Sequence, residues 1–256
     1  MLRLHDKFAL AAAFALAASL SAFGLTVDGD LSDWGVAAPT QQDYNDWTPH
    51  GLSNVAWTSE DWVVGDISGG YVEPGYGGQV ADIEAMLVHL EDHTLYLGIA
   101  TGLGPFIVDG FVLPGDVFFD FGGDGTWDAA VGTMGANAGH EWTGAGLWYI
   151  DPLFLFTDEG PYQVDYAVAN DEGPAAGFAY SPNDMSGQHW IIELALSLSE
   201  SEYASVLDNG VAAHWTFVCG NDVMEVGLTP GVPEPSTLVL LGLGLLGVFA
   251  RRRFTA

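Results

Sequence analysis

Ile83-Glu-Ala-Met-Leu-Val-His-Leu90, Glu91-Asp-His93 and Thr94-Leu-Tyr-Leu-Gly-Ile-Ala-Thr101 form the stretch on which the fold turns. Two mostly apolar runs, Ile83 to Leu90 and Thr94 to Thr101, flank a short polar break, the pattern of a β-hairpin. Side chains alternate along a strand, so Ala85, Leu87 and His89 belong to one face and Met86, Val88 and Leu90 to the other. Downstream, Asp116 to Phe121 enters Gly122-Gly123-Asp124-Gly125 and Thr126 to Gly132 leads out, a second hairpin. Gly146 to Ile150, Tyr162 to Val168, His189 to Leu196 and Ala213 to Val218 supply further strands. Turn signals stand at Asp158-Glu159-Gly160-Pro161, Asn170-Asp171-Glu172-Gly173-Pro174 and Ser181-Pro182-Asn183-Asp184. Ser199 to Leu207 is the one helical stretch, with Ser199 and Glu202 at capping-box spacing. Many strands, frequent turns and little helix predict an all-β domain, an antiparallel β-sandwich or jelly roll with one short helix.

Charge is distributed very unevenly. The five basic residues are Arg3, Lys7, Arg251, Arg252 and Arg253, and all but two of the 34 acidic residues (Asp6 and Glu234) lie within 25–231. Nucleic acid is excluded as a partner, because nothing in the domain neutralises phosphates. An anionic membrane surface is disfavoured on the same ground. A compact domain with this charge repels itself unless cations neutralise part of it. Bound calcium, which takes carboxylate and carbonyl oxygens, is one solution, and a solvated acidic shell is a compatible second. Cys219 is the single cysteine, so the chain forms no internal disulfide.

Asp116, Asp120, Asp124 and Asp128 recur at intervals of four, and the Gly122-Gly123 turn draws Asp120, Asp124 and Asp128 toward one another. They are candidate calcium ligands; equally, Asp124-Gly125 suits a plain hairpin turn. Asn221 and Asp222, after an apolar strand, form a second candidate oxygen pair or an Asx-type turn. Glu84, beside Asp82 on the first strand, is a third, since a carboxylate facing inward needs a cation or hydrogen bonds. His89 and His93 flank a turn and do not share a helix face, which speaks against zinc. His140-Glu141 lacks the second histidine of a zincin motif, and no Gly-x-Ser-x-Gly elbow is present. These absences favour a non-enzymatic domain. Carboxylate pairs for glycoside cleavage remain an alternative, because so many acids create many chance pairs. Several of the nine tryptophans lie in polar or glycine-rich segments; most suit core packing and a minority an exposed platform.

The two ends read as targeting segments. Residues 1–24 combine Arg3 and Lys7, the apolar run Phe8 to Leu20 and small residues at Ser19, Ser21, Ala22 and Gly24, as in a signal peptide with its hydrophobic helix. Residues 232–256 join Pro233-Glu234-Pro235 to an apolar run from Thr237 to Ala250, interrupted by glycines, and to Arg251-Arg252-Arg253. That run gives a C-terminal helix too short for a comfortable permanent span and suited to a transient anchor. This order of parts resembles the PEP-CTERM sorting signal. The resemblance implies processing by exosortase, a membrane transpeptidase of Gram-negative bacteria that also make exopolysaccharide. Signal peptidase and the export machinery precede it.

The intervening domain, 25–231, carries Asp28-Gly-Asp30-Leu-Ser-Asp33-Trp34, Tyr71-Val-Glu-Pro-Gly-Tyr-Gly-Gly-Gln79, Leu95-Tyr-Leu-Gly-Ile-Ala-Thr-Gly102, Asp120-Phe-Gly-Gly-Asp124-Gly125 and Cys219-Gly-Asn-Asp222. With Asp82-Ile-Glu84-Ala85 and Gly115-Asp116, these resemble the β-sandwich of PEP-CTERM surface proteins, itself similar to family 9 carbohydrate-binding modules. The resemblance implies a calcium-containing sandwich more firmly than it implies sugar binding. The expectation is an exported surface or matrix protein, held by its C-terminal helix before processing, with a calcium-stabilised, non-catalytic domain that contacts exopolysaccharide. A glycoside-acting enzyme and a purely structural or adhesive protein are the alternatives.

Overall fold

The computed structural model describes residues 24–37, 46–60, 79–105, 113–144, 147, 161, 163–182, 189–218, 220 and 222–229. Residues 1–23 of the N-terminal targeting segment and the whole C-terminal one, with Pro233, Glu234, Pro235 and Arg251 to Arg253, lie outside the described residues, as do Cys219 and Asn221. The strands are β1 (Val55–Ser59), β2 (Ile83–Glu91), β3 (Thr94–Thr101), β4 (Val117–Asp120), β5 (Ala129–Val131) and β6 (His140–Thr143). They continue with β7 (Asn170–Pro174), β8 (Gly177–Pro182), β9 (Trp190–Ser197), β10 (Val211–Thr216) and β11 (Val223–Leu228), and the helix α1 spans Glu200–Asn209.

Two antiparallel sheets face each other, one ordered β1-β2-β3-β9-β8 and the other β11-β10-β4-β5-β6-β7. The β2–β3 hairpin closes with Glu91 opposite Thr94, and Asp92 takes a φ of 51°, the positive value a two-residue turn demands. Between the sheets, Met86, Val88, Leu97, Ile99, Ile192 and Leu194 meet Val117, Phe119, Ala213, Trp215 and Met224 in one core. A register shift between Ile83 and Ala85 marks a bulge in β2.

Each sheet also has its outer face covered. Leu25, Leu31, Trp34, Val36 and Trp47 lie over Ala85, Leu87, Ala100 and Ile191. Gly98 makes room for this layer, for a Cβ there would stand 2.7 Å from Leu31 Cδ2. On the second sheet, Val164 and Leu147 join Phe118, Ala130 and Trp142, with Trp127 and Tyr166 packed alongside.

Several expectations need correction. The strand expected over Tyr162 to Val168 is absent from its described part, residues 163–168: only Gln163 bridges, Tyr166 to Val168 turn, and Asp165 accepts from the backbone N–H groups of Ala167, Val168 and Ala169. Its alternation reflects burial of Val164 against the outer sheet face. Asn170 to Pro174 is not a turn but edge strand β7, exposed apart from Gly173, whose ladder to β6 overrides poor strand propensity. Pro182 ends edge strand β8, where a missing N–H costs no ladder bond. Strands β1, β6, β8 and β11 carry too short or too mixed a pattern to be seen beforehand. Apart from Leu147, Gly146 to Ile150 lies outside the described residues. The helix starts where expected: Ser199 Oγ accepts from Glu202 N, and Ser199 N donates to Glu202 Oε2 at 2.7 Å.

Candidate carboxylate sites

Asp116 and Asp120 sit at opposite ends of β4, so the interval of four separates them. Asp116 Oδ1 accepts from Thr133 N at 3.2 Å, and Oδ2 accepts from Val164 N at 2.9 Å and from the Tyr166 hydroxyl at 2.6 Å. Burial pushes its carboxyl up to about 6, against the pull of these three donors. The same buried carboxylate raises the Tyr166 phenol further, after burial itself. Asp116 thereby ties the 161–169 segment to the outer face of its sheet.

Asp120, Asp124 and Asp128 do come together around the β4–β5 turn. Asp120 accepts from Asp124 N at 3.3 Å and from Gly125 N at 2.7 Å, Asp124 from Thr126 N at 2.8 Å, and Asp128 from Phe121 N at 2.7 Å. Gly123 and Gly125 take positive φ here, 63° and 82°, which lets the chain wrap its donors around the carboxylates. The Asp128 carboxyl is raised, first by burial and then by the charges of Asp120, Asp124 and Glu202. All the donors are oxygen, the class calcium takes. Yet among the described residues no three acidic, histidine or cysteine side chains already converge on a metal position. The turn satisfies itself with backbone N–H groups.

Asp222 stands at the other end of the sandwich. Its Oδ2 accepts from Ile83 N at 2.6 Å, tying the loop before β11 to β2, and Oδ1 accepts from Val223 N. Burial pushes it up to about 7, with the Glu60 charge adding to the rise. Glu84, fully buried, lies 3.3 Å from His189 Nε2, and Trp47 meets that imidazole edge-on at 5.8 Å.

Sequence reading missed Glu193, the most heavily used carboxylate of the outer layer. Oε2 accepts from the backbone N–H groups of Asp28, Gly29 and Asp30 at 3.0, 2.6 and 3.2 Å, and Oε1 from Trp34 Nε1 at 2.8 Å. Burial pushes Glu193 up to about 7 despite these donors. The visible signal was an acid inside the apolar run Trp190-Ile-Ile-Glu193-Leu-Ala-Leu196. With no Lys or Arg available, histidine pairs with acids elsewhere: His214 lies 3.0 Å from Glu225 and His140 3.1 Å from Asp171. His214 Nε2 also faces the Pro161 carbonyl at 3.2 Å. Hydrogen bonding from His214 lowers Glu225.

Fold and composition together define an acidic all-β module attached to a C-terminal targeting segment. That segment, residues 231–253, matches the family described as the PEP-CTERM protein-sorting motif. The chain is therefore an exported, exosortase-processed cell-surface protein. No curated protein and no solved structure matches the chain.

Proposed function

We propose that the sorted domain is a non-catalytic surface module that calcium stabilises at the Asp120-Asp124-Asp128 turn, in the envelope or matrix of a Gram-negative bacterium. One observation carries this reading: Asp120, Asp124 and Asp128 gather around a single turn, in a domain with no Lys or Arg to offset their charge. A divalent ion relieves that repulsion at once, and carboxylates exchange backbone N–H partners for it at modest cost, which suits the weak extracellular affinity range. Asp116, Glu193 and Asp222 lie outside that grouping, each with its own backbone donors. The same commitment of buried acids to structural bonds supports a non-catalytic role over a glycoside-acting one.

Contact with exopolysaccharide is part of the proposal. Trp57, 42% exposed on edge strand β1, offers a stacking face. The test of the calcium reading is a titration of the processed protein followed by amide chemical shifts. Shifts confined to residues 120–128 and 202 support it; an unperturbed turn at millimolar calcium, the extracellular range, contradicts it.

A further inference from the structure

The end of the sandwich at which β11 finishes is closed by α1. Strand β11 runs from Val223, opposite Thr216, to Leu228, opposite Val211, and Val211 follows α1 through Gly210. Gly122 and Gly123 of the β4–β5 turn lie against Ser205 and Asn209. On the other sheet, His93 of the β2–β3 turn stacks on Tyr203 at 4.0 Å. Val206 is buried, whereas Glu200, Ala204, Leu207 and Asp208 present an open helix face, with Leu207 48% exposed. Asp92 of the β2–β3 turn, and Asp124 and Asp128 of the β4–β5 turn, are exposed at the same end.

The sorting segment leaves from this end on a very short leash. Only Thr229, Pro230, Gly231 and Val232 separate Leu228 from Pro233. Even fully extended, those links span about 17 Å. Strand β2 alone, nine residues long, covers about 30 Å. The enzyme that acts on Pro233-Glu234-Pro235 therefore works against the α1 end and cannot reach across to the other. An anionic lipid surface repels that end, while a cationic protein surface attracts it.

We propose that the free face of α1, with Leu207 at its centre and Glu200 and Asp208 beside it, docks on a cationic surface of the exosortase during processing. This rests on the sorting motif and is independent of calcium. The test is pulse–chase conversion of the full chain in cells that contain its exosortase. Leu207→Lys with Asp208→Lys places two cations in the last helical turn, where they favour the helix, so loss of fold is not the cause of any effect. Their melting temperature checks this.

Conversion of that pair is expected to slow roughly tenfold, as expected when complementary charge at an interface is reversed. Asp30→Lys with Asp46→Lys, on the layer over the opposite sheet face, is expected to leave the rate unchanged. Inserting a flexible linker of about fifteen residues after Thr229 lets the enzyme reach its motif without meeting α1, so the charge-reversed and parent rates converge. An unchanged rate in the α1 pair, equal slowing in the control pair, or slowing that persists with the linker overturns the proposal. Calcium-dependent binding of the processed domain to phosphatidylglycerol vesicles, lost on Leu207→Lys with Asp208→Lys, would assign the face to lipid and overturn it as well.

Discussion

Trp34 and Glu193 are joined by a 2.8 Å hydrogen bond from the indole Nε1 to Oε1, across 159 positions of chain. With the three backbone donors of Asp28, Gly29 and Asp30 on Oε2, this bond makes one carboxylate the clamp of an entire outer layer. Glu193 is 1% exposed, and its bonds from Gly29 N and Trp34 Nε1 are buried. Removing it leaves four donors without their acceptor, and buried unpaired groups are costly.

Glu193→Ala is therefore expected to lower unfolding free energy by about 3 kcal/mol, with Glu193→Gln intermediate, since its amide retains one acceptor oxygen. Urea unfolding followed by tryptophan fluorescence measures this. Stability equal to the parent in both variants would show that the layer does not depend on the clamp.

Gly98 tests the same layer by volume. A side chain there enters the space of Leu31 and Trp34, so Gly98→Val is expected to cost about 1–3 kcal/mol while the inter-sheet core stays intact. The near-ultraviolet signal of Trp34 should change with little loss of the far-ultraviolet β signal.

Asp116, Glu193 and Asp222 hold protons more tightly in the folded chain, at about 6, 7 and 7, than in the unfolded one. Their contribution to stability is complete below the ordinary carboxylate range and is lost as pH rises through 6 to 7. Glu225, lowered by His214, acts oppositely and loses its contribution as pH falls below the carboxylate range. The net expectation is greater stability at pH 5 than at pH 8, by roughly 1–3 kcal/mol. Asp222→Asn should flatten that slope in urea titrations at the two pH values.

Trp57→Ala should leave the melting temperature nearly unchanged, because the ring is 42% exposed on an edge strand. Binding to exopolysaccharide from the producing cells, measured by affinity electrophoresis, should fall. Unchanged binding removes Trp57 from the contact.

The β2–β3 hairpin, β9 and the capped helix were legible because each pattern is local: alternation, a polar break, Ser199 with Glu202. Strands such as β7 were not, since Asn170 to Pro174 is extended only because β6 lies beside it. The Asp120-Asp124-Asp128 grouping was legible from the Gly122-Gly123 turn. Asp116 belongs elsewhere because its oxygens meet Val164 and Tyr166, 48 and 50 residues away. Glu193 was hidden for the same reason: its donors come from the far N-terminal segment, and no spacing within one strand announces them.

Thermal unfolding of the processed protein with millimolar calcium and with chelator tests calcium stabilisation most directly. A ligand that binds the folded state alone must raise the midpoint, here by several degrees, and Asp124→Asn with Asp128→Asn should abolish the rise. A midpoint that ignores calcium, or an equal rise in the double variant, would contradict calcium stabilisation at this turn.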